Sequence, residues 1–237
     1  MDITLLCYDN FISVEKMGVV GSSGSPWDAG KRMISRQAPT VTAYPPIALN
    51  TPGRTNLTVP PGVSSMNAML IGAGGSGGRG DGSGNGGGGG SGALIDISFE
   101  VKEGEIYTIE VGDRKDGPGG DTTISKGGVI IARAGGGRPG EREWELVKGV
   151  GGAAGVASPG VGVVFTRYLT VPAPKGTDGD ALSGGKGGAL GGSGADGATT
   201  RANAEDATVS GSGGGGGHYD RQNGGRAMAG AARVTWM

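Results

Sequence analysis

The chain has 237 residues, and its 56 glycines and 12 prolines are a fraction typical of low-complexity sequence. The charges of the 21 basic and 22 acidic residues nearly cancel, so charge repulsion does not keep the chain unfolded. The composition also lacks the excess of basic residues that is typical of nucleic-acid binding. No run of about 18 apolar residues exists, which argues against membrane insertion, and the single cysteine excludes an internal disulfide.

Residues 1–54 differ in composition from the rest and are predicted to form an extended N-terminal attachment arm. Short strands are expected at 3–6 and 11–14, and Tyr44-Pro45-Pro46 is predicted to be a polyproline-like connector. Such a segment is too short and too extended to form a hydrophobic core of its own. We expect it to become ordered by docking on a partner, or alternatively by folding back on its own domain. Cys7 is at most a link between two chains.

The N-terminus has neither a basic lead nor a long apolar stretch, so no secretory signal peptide is predicted.

From residue 55 to 237, short strands alternate with glycine-rich stretches. Apolar side chains occupy every second position of residues 93–101, and the turn at 102–105 leads into a second alternating run at 106–111. This pair predicts an antiparallel hairpin. Further strands are predicted at 57–59, 66–71, 122–125, 129–134, 163–171 and 233–236. The predicted fold class is therefore all-β, with a small antiparallel β-sandwich or barrel as the base.

The glycine-rich stretches are too long to be ordinary turns, and they span 72–92, 112–121, 135–162, 174–200 and 210–231. The first has 14 glycines in 21 positions without the strict third-residue period of collagen. Glycine buries no side chain, so only backbone hydrogen bonds at about 0.5–1.5 kcal/mol each can offset its ordering cost. Three-residue helices packed side by side satisfy one another. We predict bundled polyglycine II helices, with a flexible linker as the alternative.

Motifs that suggest catalysis or a cofactor are weak in this composition. Residues 72–77 match G-x-G-x-x-G after a strand, but the following glycines cannot open the helix that a dinucleotide needs. Arg79-Gly80-Asp81 is expected to be a solvated polar stretch. His218 is the single histidine, so neither a catalytic triad nor a metal cluster is predicted. We expect no cofactor, no metal site and no enzymatic activity.

Two polar stretches interrupt the glycine runs, at 138–148 and 218–223. Side chains on such loops are the chemical features that a glycine bundle offers to a ligand, and binding residues favour loops held on rigid elements. Trp144 is a candidate anchor of a recognition surface, or alternatively packs on the sheet. The candidate receptor contacts are Glu141, Arg142, Trp144, His218, Tyr219, Asp220 and Arg221.

Several motifs in fixed order carry a resemblance to a known family: residues 57–63 (LTVPPGV), 69–75 (MLIGAGG), 101–112 (VKEGEIYTIEVG), 119–124 (GGDTTI) and 233–236 (RVTW). They resemble the glycine-rich domain of bacteriophage tail-fibre and receptor-binding proteins. In glycine-rich style the chain is also similar to the distal adhesins of T-even-like phages.

This resemblance implies a virion tail protein, of the fibre or tip, that is made in the bacterial cytoplasm and acts at the host surface. Its expected partners are other tail proteins, through residues 1–54, and a bacterial surface receptor of protein or polysaccharide. A homotrimer is one assembly open to such a protein. The alternatives are a purely structural tail component, or a polysaccharide depolymerase using paired carboxylates among Glu141, Glu143 and Glu145.

Overall fold

The computed structural model describes residues 7–8, 11–12, 43–80, 84–141, 149–180, 183–190, 195–199, 203–218 and 223–237. The chain divides into two compact units, Met1–Thr40 and Val41–Met237. In the first unit, β1 (Cys7–Tyr8) pairs antiparallel with β2 (Phe11–Ile12), which overlaps the strand predicted at 11–14. The strand predicted at 3–6 lies outside the described residues. No helix long and apolar enough to cross a membrane occurs in the described ranges.

The second unit contains two five-stranded antiparallel sheets, so the predicted all-β class is confirmed. Its strands are β3 (Ile47–Leu49), β4 (Gly53–Thr58), β5 (Ser65–Ile71), β6 (Leu94–Glu100), β7 (Ile106–Val111), β8 (Thr122–Lys126), β9 (Val129–Ala134), β10 (Ala157–Pro159), β11 (Arg167–Val171) and β12 (Ala231–Trp236). One sheet has the order β10-β9-β8-β7-β4 and the other the order β11-β6-β5-β12-β3. The hairpin predicted for residues 93–101 and 106–111 is therefore wrong: β6 pairs with β5 and β11, whereas β7 pairs with β4 and β8. The turn between them crosses from one sheet to the other, which an alternating pattern does not distinguish from a hairpin turn.

The two sheets share one hydrophobic core and therefore form a sandwich rather than a barrel. Leu70 and Ile97 of one sheet and Ile109 and Ile124 of the other are fully buried. Burial of each such side chain contributes roughly 1.5–3 kcal/mol. The alternation predicted for residues 93–101 is confirmed, because its apolar positions face this core while Glu100 is exposed.

The edges of the sandwich differ from the sequence prediction. β3 and β10 have three residues each, too few to show an alternating pattern, and they form because longer strands offer free edges to pair with. β4 begins at Gly53, so the predicted boundary between residues 54 and 55 falls inside a strand. The second unit begins earlier, at Val41.

The glycine-rich segments pack with a period of three residues. In residues 72–78 the amides of Gly72, Gly75 and Gly78 all donate to carbonyls of residues 87–93. The amides of 73 and 76 donate to a second neighbour, 117–120, and those of 74 and 77 to a third, 225–228. A helix with three residues per turn and no internal hydrogen bonds presents three such faces. This is the predicted packing of polyglycine II helices.

Residues 85–93, the central segment, are surrounded by other glycine-rich segments. Their amides donate to 135–141, 174–177 and 211–217, and their carbonyls accept from 72–78, 149–155 and 185–188. A Cβ added at Gly89 would lie 1.9 Å from the Gly75 carbonyl oxygen, far inside van der Waals contact. Absence of side chains is therefore the condition for this packing.

Candidate functional site: the loop end of the bundle

The bundle has one end at the sandwich and a second end away from it. Residue 72 leaves the sandwich after β5, and the central segment returns to it at β6, so the described residues 79, 80 and 84 of the connection between them lie at the far end. The hydrogen-bond register brings the flanks of four more connections to the same end: 142–148, 180–183, 199–203 and 218–223. We call this the loop end.

The two stretches predicted to recognise a ligand, 138–148 and 218–223, are held side by side at the loop end. The Gly86 amide donates to the Gly217 carbonyl at 2.9 Å, and the next amide, of Gly87, donates to the Glu141 carbonyl at 3.1 Å. Gly217 lies directly before His218, whereas Glu141 lies inside the stretch 138–148, because residues 138–141 still bond to neighbouring glycine segments and only 142–148 connect those segments. One segment therefore holds the first residues of both loops at the same level.

Each loop also begins and ends on hydrogen-bonded neighbours. The Glu141 amide donates to the Val150 carbonyl at 2.8 Å, which closes the stem of 142–148. The segments before and after 218–223 are joined by the Gly225 amide, which donates to the Gly215 carbonyl at 2.7 Å. The described residues on both sides of each stretch are consequently held in the bundle.

The candidate contact residues divide between described and undescribed parts of the chain. Glu141 is exposed at the end of its segment, as a contact residue requires. Arg142 and Trp144, with the alternative that Trp144 packs on the sheet, lie outside the described residues, and so do Tyr219, Asp220 and Arg221. The paired-carboxylate hypothesis likewise depends on residues 143 and 145, which are not described.

His218 is placed differently from the prediction. Its side chain is fully buried, at 0% exposure, so in this conformation it is withdrawn from the surface that a receptor contacts. The reason is positional, because His218 continues the segment 211–217, which is enclosed by neighbouring glycine segments. His218 is the first residue of the predicted stretch, but its backbone still belongs to the bundle.

Sequence reasoning missed a set of acidic side chains that complete the bundle. Where an amide faces no carbonyl of a neighbouring segment, a carboxylate accepts its hydrogen bond. The Asp121 side chain accepts from Gly136 N at 2.9 Å, that of Asp178 from Gly151 N at 2.8 Å, and that of Asp206 from Arg226 N at 2.6 Å. Aspartate side chains commonly accept hydrogen bonds from nearby backbone amides. Aspartates within glycine-rich sequence are therefore the signal that would have predicted these contacts.

The same chemistry shapes one connection at the loop end. The Asp180 carboxylate accepts from both the amide and the hydroxyl of Ser183, at 2.7 and 3.1 Å, and the Asp180 amide donates to the Ser183 carbonyl. The two described ends of this connection, Asp180 and Ser183, are thus bonded directly to each other.

Among the described residues of the loop end, the exposed side chains are dispersed polar groups. Arg79, Glu141 and Asp180 are exposed there, and Lys186 pairs with Asp196 at 2.9 Å nearby. Within the described ranges, no three His, Cys, Asp or Glu side chains are grouped to hold a metal ion. Clefts of about 510 and 590 Å³ are lined by other residues, mainly of the sandwich. The arrangement suits contact with an extended surface.

A family model described as a glycine-rich domain matches residues 50–237. The match begins just before β4 and ends with the chain, so it includes nearly all of the sandwich and the whole bundle. No curated protein matches the chain.

Proposed function

We propose that this chain, which belongs to the glycine-rich domain family through residues 50–237, is a bacteriophage tail protein that attaches the virion to its host. The loop end recognises a bacterial surface receptor, either a protein or a polysaccharide, and residues 1–54 join the chain to other tail proteins. The assignment to a phage tail is supported by the ordered motifs between residues 57 and 236. The proposed contacts are Glu141, Arg142, Trp144, Tyr219, Asp220 and Arg221.

The observation that carries the proposal is that the two loops, 142–148 and 218–223, follow residues bonded to adjacent positions of the central segment. Their preceding residues, Glu141 and Gly217, accept hydrogen bonds from the consecutive amides of Gly87 and Gly86. The loops contain tryptophan, tyrosine and arginine, the residue types that dominate binding energy in interfaces. A backbone-bonded platform lowers the ordering cost of binding, and several copies on one particle add avidity.

Loop replacement tests this proposal. Exchanging residues 142–148 for an equal number of glycines and serines should abolish adsorption to the host while particles still assemble, because the stem at Glu141 and Val150 is kept. The matched control replaces residues 114–116, which are exposed between β7 and β8, and should adsorb normally.

Other outcomes would select the other functions. Normal adsorption by the 142–148 variant would contradict the adhesin proposal and favour a structural tail component. Release of sugars from host envelope by the purified protein would favour a depolymerase.

A further inference from the structure

Three of the four sheet edges in the sandwich carry features that discourage pairing with another chain. β3 and β10 have three residues each, and β10 ends at Pro159. β4 is polar, and its Arg54 pairs with Glu110 at 2.9 Å. Short edges, prolines and charges are the usual protection against edge-to-edge association.

The fourth edge, β11, lacks this protection. Tyr168, Leu169 and Val171 are 42%, 47% and 42% exposed, although they lie in a regular strand of five residues. The only charge in the strand, Arg167, stands at its first position, so the central residues Tyr168, Leu169 and Thr170 carry none. An exposed and apolar edge is a site of strand addition.

The hydrogen-bond register identifies which groups of β11 remain free. Gly72 N donates to Ala93 O and Val101 N donates to Ser64 O, so the odd-numbered residues of β6 bond to β5. The even-numbered residues of β6 therefore face β11, where they pair with residues 167, 169 and 171. The N–H and C=O groups of Tyr168 and Thr170 consequently point away from the sheet.

These free groups are self-complementary about Leu169. In an antiparallel pair of two β11 strands centred on Leu169, Tyr168 of each copy exchanges both hydrogen bonds with Thr170 of the other. Leu169 then lies opposite Leu169 in a non-hydrogen-bonded position, where side chains are closest. Arg167 lies opposite Val171, so no like charges meet.

We propose that β11 is a homodimer interface, in which two copies of the chain pair through this edge and join their five-stranded sheets. The partner is a second copy because one register satisfies every outward group of the edge strand and places identical apolar side chains on the two-fold axis. The proposal is independent of what the loop end binds.

Charge substitution on the axis gives a specific test in the full chain. Leu169→Lys and Leu169→Glu each place two like charges directly opposite one another and should weaken dimerisation at least about tenfold. An equimolar mixture of the two variants should recover the dimer, because unlike charges then meet. Sedimentation velocity over a concentration series measures all three samples against the wild type.

Ile106→Lys is the matched control, since Ile106 is 55% exposed on β7 in the other sheet, and it should leave the dimer unchanged. Recovery in the mixture also shows that both charge variants fold. A wild type that stays monomeric or forms only trimers, a dimer insensitive to Leu169→Lys, or a mixture that does not recover would each overturn the proposal.

Discussion

At the scale of single residues, polar side chains complete hydrogen bonds that glycine segments leave open. Thr122 is fully buried where the sandwich meets the bundle, and its hydroxyl accepts from Gly112 N at 3.0 Å and donates to Ile71 O at 2.6 Å. A buried amide without an acceptor costs about 1–3 kcal/mol. Asp121, Asp178 and Asp206 act in the same way along the bundle.

A second residue-scale feature predicts how stability depends on pH. Lys126 Nζ lies 2.7 Å from one Glu105 oxygen and Tyr107 donates to the other at 2.8 Å, and these contacts, Lys126 first, lower the pKa of Glu105 from 4.5 to about 2. Between these pH values the unfolded chain binds more protons than the folded one. The stabilisation is therefore complete above about pH 4.5 and is lost as the pH falls toward 2.

Glu105→Gln should flatten the dependence of the unfolding free energy on pH in this window, as measured by urea titrations at a series of pH values. Glu110→Gln controls for the loss of a carboxylate at a more exposed position. A Glu105→Gln protein that keeps the wild-type slope between pH 4.5 and 2 would contradict the assignment.

At the scale of elements, strands and glycine helices are specified in different ways. β6 follows from its own alternation, because each apolar side chain that faces the core is present in the local sequence. The central segment has almost no side chains to direct it, so its position follows from hydrogen bonds to its neighbours. Close approach of backbones is what stabilises it, and one added methyl group is enough to disturb it.

Gly89→Ala tests this packing. Its Cβ would lie 1.9 Å from the Gly75 oxygen, so the two helices must separate and the hydrogen bonds between them weaken. We expect the free energy of unfolding to fall by about 3 kcal/mol or more. Gly104→Ala is the control, since it adds the same methyl group with nothing within 4 Å and costs only backbone strain at φ +78°, about 1 kcal/mol. Equal losses for the two variants in chemical denaturation would argue against close-packed glycine helices.

At the scale of the whole second unit, the sandwich and the loop end lie at opposite ends of the bundle. The sandwich provides the hydrophobic core, and the glycine helices extend from it through backbone hydrogen bonds, which a few side chains such as Asp121 and Asp178 supplement. Variation in the loops leaves those hydrogen bonds in place, because the loops lie beyond the bonded stems. The geometry separates the part that stabilises the fold from the part proposed to bind.

Hydrogen exchange tests whether the bundle is rigidly hydrogen-bonded and opens as one cooperative unit. The amides of 86–93, 211 and 213–217 donate to carbonyls of neighbouring segments, and we expect them to exchange at least about a thousandfold more slowly than unstructured glycine. The exposed turn at Gly127 and Gly128 provides an internal fast-exchanging reference. Fast exchange at most of the bundle amides would mean a flexible tether and would remove the platform on which the adhesin proposal depends.

The sequence by itself determined the all-β class, the alternating strands β6 and β7, the glycine-rich character of the bundle and the polar loops, because each of these depends on side chains within one stretch of chain. It did not determine the pairing of β6 and β7, which lie in different sheets and do not form the predicted hairpin. Only the tertiary structure decided that Glu141 and Gly217 bond to adjacent amides, that His218 is buried, and that β11 is an unprotected edge. Because the glycines are chemically identical, no local sequence pattern specifies which segments become neighbours or in which register. Both depend on how all the segments pack together.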